Sequence, residues 1–296
     1  MSENAGKKIA IIAVVVAVGM FFAGLGSGYL AFSGGNQGGG PQVTTLKISG
    51  STTVFPIATT AADVFMDLYP IYDVQVSAGG STQGITDVGN GISDIGMSSR
   101  EVKTSERTAF PNLNVTAIAK DGIAIIVHPT LTVSQMTIKE LKMIYNGSIT
   151  NWNYFGGPNH VIHVYGRESA SGTRGTFEDL VMKSDSSTFS YVSGIVEVAG
   201  SPQMNTTISG DQYGIGYIGI GFLNSHIKAI DVAKNSTAPY VVCSAANVKS
   251  GAYPLARNLY MITNGPMPVA ELTFISFVLG PVGQKIVEKE GFVAIY

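Results

Sequence analysis

Between residues 45 and 183 the chain alternates short Val- and Ile-rich runs with segments of helical period. "TLKIS" (45–49), "DVQVSA" (73–78), "DIGMSS" (94–99), "IAIIVH" (123–128) and "VIHVYG" (161–166) are bounded by Gly, Ser or Pro and read as strands. "PIATTAADVFMDLY" (56–69), "STQGITDVGNG" (81–91), "TIKELKMIYNG" (137–147) and "GTRGTFEDLVMK" (172–183) read as helices. A strand followed by a helix and another strand favours parallel pairing, so the expected class is α/β with mainly parallel sheets covered on both faces. The tail "VAELTFISFVLGPVGQKIVEKEGF" (269–292) reads as two helices broken at Gly280 and Pro281.

The first residues obey a different rule. Residues 9–32 carry no charged side chain, and a bilayer-spanning helix needs roughly 20 apolar residues. Lys7 and Lys8 precede the run and place the N-terminus in the cytoplasm, with the body on the external face of the cell membrane. A cleaved signal peptide has a shorter apolar core, of about 7–15 residues. An uncleaved anchor over 1–32 is therefore expected, with "GLGSG" (24–28) as an alternative processing site that would release the body. No Cys follows, which excludes a bacterial-type lipid anchor. Residues 33–44 are dense in Gly and read as a flexible linker. Asn-x-Ser/Thr triplets at Asn114, Asn146, Asn205 and Asn235 are compatible with an external location.

Charge excludes one class of partner. With 13% charged residues and a net charge of −2, the chain has no basic footprint for nucleic acid. A small anion stays open, because donors and helix ends set the field in a cleft. The single cysteine, Cys243 in "YVVC", allows neither an intrachain disulfide nor a Cys-based metal site. It reads as a small buried hydrophobe.

Three strand-to-helix junctions share one chemistry. "GSTTVFP" precedes a helix that Pro56 is expected to open, since a proline at the first helical position forgoes no intrahelical bond. "GGSTQG" places Ser81 as a helix cap, and "SASGTRG" places Ser171 as another. Helix N-termini carry free N–H groups and partial positive charge, so each is a natural anion site. Arg167 and Arg174 lie near the third. Convergence of the three on one tetrahedral oxyanion is the expectation, at the carboxyl ends of the strands where open α/β sheets bind ligands.

Other motifs carry less. "GIGYIG" (214–219) matches a dinucleotide-binding pattern, but "IGFLNS" follows it where a helix is required. It reads as a tightly packed strand. His160 and His163 are expected on opposite faces, which argues against a shared metal. No G-x-S-x-G elbow and no carboxylate cluster with metal spacing occurs, so no catalytic residue, metal or cofactor is expected. Trp152 reads as loop packing near the cleft mouth.

The ordered set "ISGSTTVFPI", "SAGGSTQGI", "SDIGMSSREV", "GSITNW", "GRESASGTRGTF", "YGIGYIGIGF" and "FISFVLGPVGQKIVEKEGFVAI" resembles the PstS-like family, the substrate-binding proteins of phosphate ABC transporters. The resemblance spans about residues 45–296. It implies a two-lobed periplasmic-binding-protein fold of type II with two hinge crossovers, "KDGIAII" and "ARNLYMIT". Lobe 1 would be 45–122 plus 256–296, and lobe 2 would be 123–255. It implies capture of inorganic phosphate and delivery to the permease and ATPase subunits of a transporter. First-lobe contacts would fall on Thr53, Val54 and Phe55, mostly through backbone N–H groups, and on Ser81. Second-lobe contacts would fall on Arg167, Ser171, Gly172 and Thr173. Arg167 suits a bidentate pair with phosphate oxygens, against the plainer reading of a surface salt bridge to Glu168.

The chain departs from the family's best-known branch at two positions, Ser99 and Ser169, where that branch has Asp. Hydrogen phosphate donates a proton to such a carboxylate and sulfate has none to give, so a buried acceptor discriminates between them. The acceptor role would move to Asp121 or Glu168. Arg100 would add a second clamp or point to solvent. Without a carboxylate, sulfate, molybdate or tungstate becomes an alternative ligand. A membrane-tethered phosphate sensor and an enzyme acting on phosphate esters are the rival classes.

Overall fold

The structure is a computed structural model that describes residues 43–186 and 188–296. The membrane segment expected over 1–32 and the linker up to residue 42 lie outside the described residues. The chain runs β1 (Thr44–Gly50), α1 (Phe55–Leu68), β2 (Tyr72–Ala78), α2 (Ser81–Gly89), β3 (Ile95–Ser98), α3 (Thr104–Ala109) and β4 (Leu113–Val127). It continues through β5 (Gln135–Thr137), α4 (Ile138–Tyr145), β6 (His163–Arg167), α5 (Gly172–Phe177), β7 (Val196–Val198), α6 (Ser201–Gly210), β8 (Gly214–Gly219) and β9 (Lys228–Ala233). The last elements are α7 (Ala245–Ser250), β10 (Ala256–Asn264), α8 (Val269–Leu279) and α9 (Pro281–Lys289). Val43–Tyr296 forms one compact unit.

Two sheets share one strand. In the first lobe the order is β2-β1-β3-β10-β4, and in the second β4 lies between β8 and β9, with β6 and β7 beyond β8 and β5 beyond β9. β4 pairs with β10 up to Gly122 and with β8 and β9 from Ile123 onward. The expectation of mainly parallel sheets holds for β1 with β2 and β3, β5 with β9, and β6 with β7 and β8. It fails wherever β4 or β10 takes part, since all their strand pairings are antiparallel. These two strands carry the chain out of the first lobe and back, so they run against the parallel set.

Each lobe packs around aromatic rings. α1 buries Ile57, Ala58, Ala61, Ala62 and Phe65, one face of a helix. Phe65 meets Tyr69, Tyr72, Phe274 and Phe277 at centroid distances of 4.9–5.5 Å. In the second lobe Phe177 stacks on Tyr217 at 4.2 Å. α8 and α9 meet at Gly280 with a 62° bend, as the Gly-Pro pair implies.

Several local expectations need correction. α1 opens at Phe55, one residue before Pro56. "GIGYIG" needs none: it is the buried strand β8, as expected, and a 3₁₀ turn, Ile220–Phe222, follows it. His160 and His163 do not part to opposite sides. His160 stacks on the Tyr213 ring at 4.0 Å and His163 meets the same ring edge-on. His160 precedes β6, so strand alternation does not govern it. Trp152 is buried and donates from Nε1 to the Tyr213 carbonyl at 2.9 Å. The same carbonyl accepts the backbone N–H of His163, at the end of β6 remote from Arg167, so Trp152 is away from the cleft. Cys243 is buried as expected, and burial pushes its thiol up to about 12.

Candidate functional site

Strand register brings the hydroxyl-rich segments together. Gly50, which ends β1, stands opposite Ala78 of β2 and Met97 of β3. The loops after these three strands therefore leave the sheet side by side. Gly50 has φ +132°, and a Cβ there would press on the Met97 carbonyl and on Gly84 of α2. Glycine lets α2 approach close enough for its first residue, Ser81, to reach the loop after β3. Ser81 is not the cap, which is Gly80. The Ser81 hydroxyl, freed from capping, accepts the Ser99 N–H at 3.0 Å and lies 3.4 Å from the Ser99 hydroxyl.

The second lobe supplies its own set. Arg167 ends β6, and Ser171 caps α5 by accepting the Arg174 N–H at 3.2 Å. The N–H groups of Gly172 and Thr173, in the first turn of α5, have no acceptor among the described residues. Arg167 is buried rather than superficial. It forks onto Glu168 with two 3.0 Å bonds, and reaches Ser201 and Thr52 at 3.2 Å each.

The two sets touch. Thr53 Oγ1 is 3.1 Å from Thr173 Oγ1. The Thr82 N–H donates to the Ala170 carbonyl at 3.1 Å, and Thr176 Oγ1 to the Ser99 carbonyl at 3.2 Å. Gly172 lies so near Ser81 and Ser99 that a Cβ on it would overlap both hydroxyls. The structure thus gathers Thr53, Ser81, Ser99, Arg167, Ser171, Gly172 and Thr173 at one inter-lobe contact.

Other singled-out residues are placed differently. Ser169 is exposed and its hydroxyl has no partner among the described residues. The N–H groups of Thr53 and Val54 turn onto the Ser51 hydroxyl, and that of Phe55 onto the Ser51 carbonyl. Arg174 turns away to Glu178 and Glu197, with its guanidinium 5.0 Å from the Tyr191 ring centre. Arg100 neither clamps the cleft nor meets solvent. It is buried against both carboxylate oxygens of Glu106.

Asp121 and Glu168 both face arginines. Asp121 is fully buried, takes two bonds from Arg257 on Oδ2, at 2.8 and 2.6 Å, and accepts the Ile220 N–H on Oδ1 at 2.9 Å. Burial pushes its carboxyl up, against the pull of Arg257. Burial pulls the Arg257 guanidinium down, Asp121 opposes that, and the positive charge of Arg167 adds to it. Arg257, Thr52 and Ser201 are the groups that sequence reading passed over. "ARNLYMIT" stood out only as a crossover, and an arginine at its start carries no local signal.

Hydroxyls, N–H groups and two guanidiniums thus converge from both lobes, while the nearby carboxylates are already paired. Such a donor-rich set fits an oxyanion presenting several lone pairs.

Comparison with known proteins agrees. A family model described as a PBP superfamily domain matches residues 35–282. The phosphate-binding protein PstS of Borreliella burgdorferi is 31% identical over 258 residues, covering 84% of this chain and 90% of that protein. A solved Clostridium perfringens structure, described as a phosphate ABC transporter substrate-binding protein with bound phosphate, superposes with a TM-score of 0.78 at 31% identity, covering 86% of this chain and all of that one. An ABC-type phosphate transport receptor from Vibrio cholerae gives a TM-score of 0.68 at 30% identity, with 84% and 99% coverage.

Proposed function

The chain belongs to the PBP superfamily and, within it, to the PstS-like phosphate-binding proteins, and from this we propose that it captures inorganic phosphate between its two lobes and delivers it to an ABC transporter. The observation that carries the reading is the Thr53–Thr173 contact, with Ser81 and Ser99 on one side and Arg167 and the α5 N-terminus on the other. Each lobe holds part of a donor set that is complete only when they shut, so an anion binding both halves favours closure. No step of bond-making on the ligand belongs to this reading, as the transport role of the relatives supports.

Further parts of the reading rest on the sequence. Residues 9–32 would hold the body at the external face of the cell membrane, with permease and ATPase subunits as partners. The lobes would divide at about 122/123 and 255/256, where β4 changes its pairing partners and β10 begins.

The engaged carboxylates favour a second ligand reading. Asp121 and Glu168 are both bonded to guanidiniums, and Ser99 and Ser169 stand where the family's best-known branch has Asp. Sulfate, molybdate or tungstate would meet no unmatched acceptor in such a site. Calorimetric titration of residues 43–296 with phosphate, sulfate and molybdate, at pH 5 and pH 8, separates the readings. Tight phosphate binding is the expected result, and rejection of sulfate beside it would require one of these carboxylates to turn and accept the phosphate proton. Sulfate or molybdate binding more tightly would replace phosphate as the ligand.

A further inference from the structure

Arg257 binds three other segments with one side chain. It lies in β10 opposite Asp121 of β4, so the pair joins the two crossover strands. Nε and Nη2 donate to Asp121 Oδ2. Nη1 donates to the Ser99 carbonyl at 2.9 Å, in the loop after β3. Nη2 also donates to Thr173 Oγ1 at 3.1 Å, in the first turn of α5. A planar guanidinium with five fixed donors can satisfy all of these, and a lysine ammonium cannot reproduce the fork.

The bond to Thr173 has a directional consequence. A threonine hydroxyl has one hydrogen and two lone pairs, and arginine can only donate. The Thr173 hydrogen therefore cannot face Arg257. It is left for the cleft side, where Thr53 Oγ1 stands at 3.1 Å. Asp121 serves as the anchor, and its other oxygen is fixed by the Ile220 N–H.

Resting on the phosphate reading above, we propose that Arg257 is a positioning residue of the anion site. Anchored on Asp121, it turns the Thr173 hydroxyl toward the bound anion and fastens the loop after β3 to the start of α5 when the lobes shut.

The test is phosphate titration of the full chain as wild type, T173V, the neutral pair D121N/R257Q and the triple variant. The neutral pair removes both charges together, so neither is left buried alone. T173V and the neutral pair are each expected to weaken phosphate binding about tenfold. The triple variant is expected to bind no more weakly than the neutral pair, because both changes act through one hydroxyl. R257K keeps the charge and loses the fork, and it too is expected to lose about tenfold. Melting curves without phosphate check that each variant is folded, and R257K alone decides the matter if the neutral pair is not. Wild-type affinity in the neutral pair or in R257K would overturn the proposal, as would additive penalties in the triple variant. A wild-type chain that binds no phosphate would overturn the functional reading and this one with it.

Discussion

Gly172 lies directly against the first lobe at the inter-lobe contact. A methyl there would meet the hydroxyls of Ser81 and Ser99. Alanine suits the helix better than glycine, so G172A should leave α5 intact and obstruct closure alone. Overpacking of this kind costs about 1–3 kcal/mol, so phosphate binding should weaken tenfold or more while the ligand-free melting temperature holds. Unchanged affinity by calorimetry would mean that the two surfaces part in the bound state. Glu271, in the first turn of α8, gives a second prediction at this scale. Burial, with Asp94 nearby, pushes its carboxyl from 4.5 up to about 7. The folded chain holds that proton more tightly than the unfolded chain. The resulting stability is complete below pH 4.5 and is lost as pH rises through about 7. E271Q cannot ionise, so it should be the more stable chain at pH 8, by about 1 kcal/mol once solvent screening is allowed for. The advantage should be absent at pH 4. Equal differences in melting temperature at both pH values would refute this assignment.

At the scale of elements, the position of a residue along β6 separates binding from packing. Arg167 ends the strand at the cleft, and His163 begins it beside the Tyr213 carbonyl that also holds Trp152. Four residue steps of strand put about 13 Å between the two ends. Trp152 is the only tryptophan, so intrinsic emission should report unfolding of the second lobe and stay unchanged when phosphate is added. A shift in emission on titration would show that the far end of β6 moves with the ligand. α5 shows the same economy. Its N-terminus faces the inter-lobe contact, while Arg174 and Phe177 on its other faces tie it to Glu178, Glu197 and the Tyr217 ring.

At the scale of the whole molecule, the two lobes are joined by strands and meet through polar contacts at the cleft. A ligand that favours the shut arrangement therefore acts as a brace on the entire chain. With phosphate at a hundredfold above its dissociation constant, the gain should be about 2.7 kcal/mol. In a chain of this size that raises the melting temperature by roughly 5–10 °C. Small-angle scattering on the same samples should show a smaller radius of gyration with phosphate than without. A melting shift without compaction would mean that the lobes are already shut before the anion arrives.

The strand and helix segments and the serine- and threonine-rich junctions were legible in the sequence because they depend on residues a few positions apart. Period, capping and turn chemistry act at that range. Ser171 took its expected cap by this logic, and the α8–α9 break fell where Gly280 and Pro281 announce it. Tertiary structure alone decided that β4 and β10 run antiparallel, that Arg174 and Arg100 turn to glutamates, and that Trp152 lies away from the cleft. It alone brought Arg257 to Asp121, 136 positions earlier in the chain. A lone arginine in a strand has no periodic or motif signal. Its role is set by whatever distant backbone the sheet register places opposite it, and that register is a property of the assembled sheet.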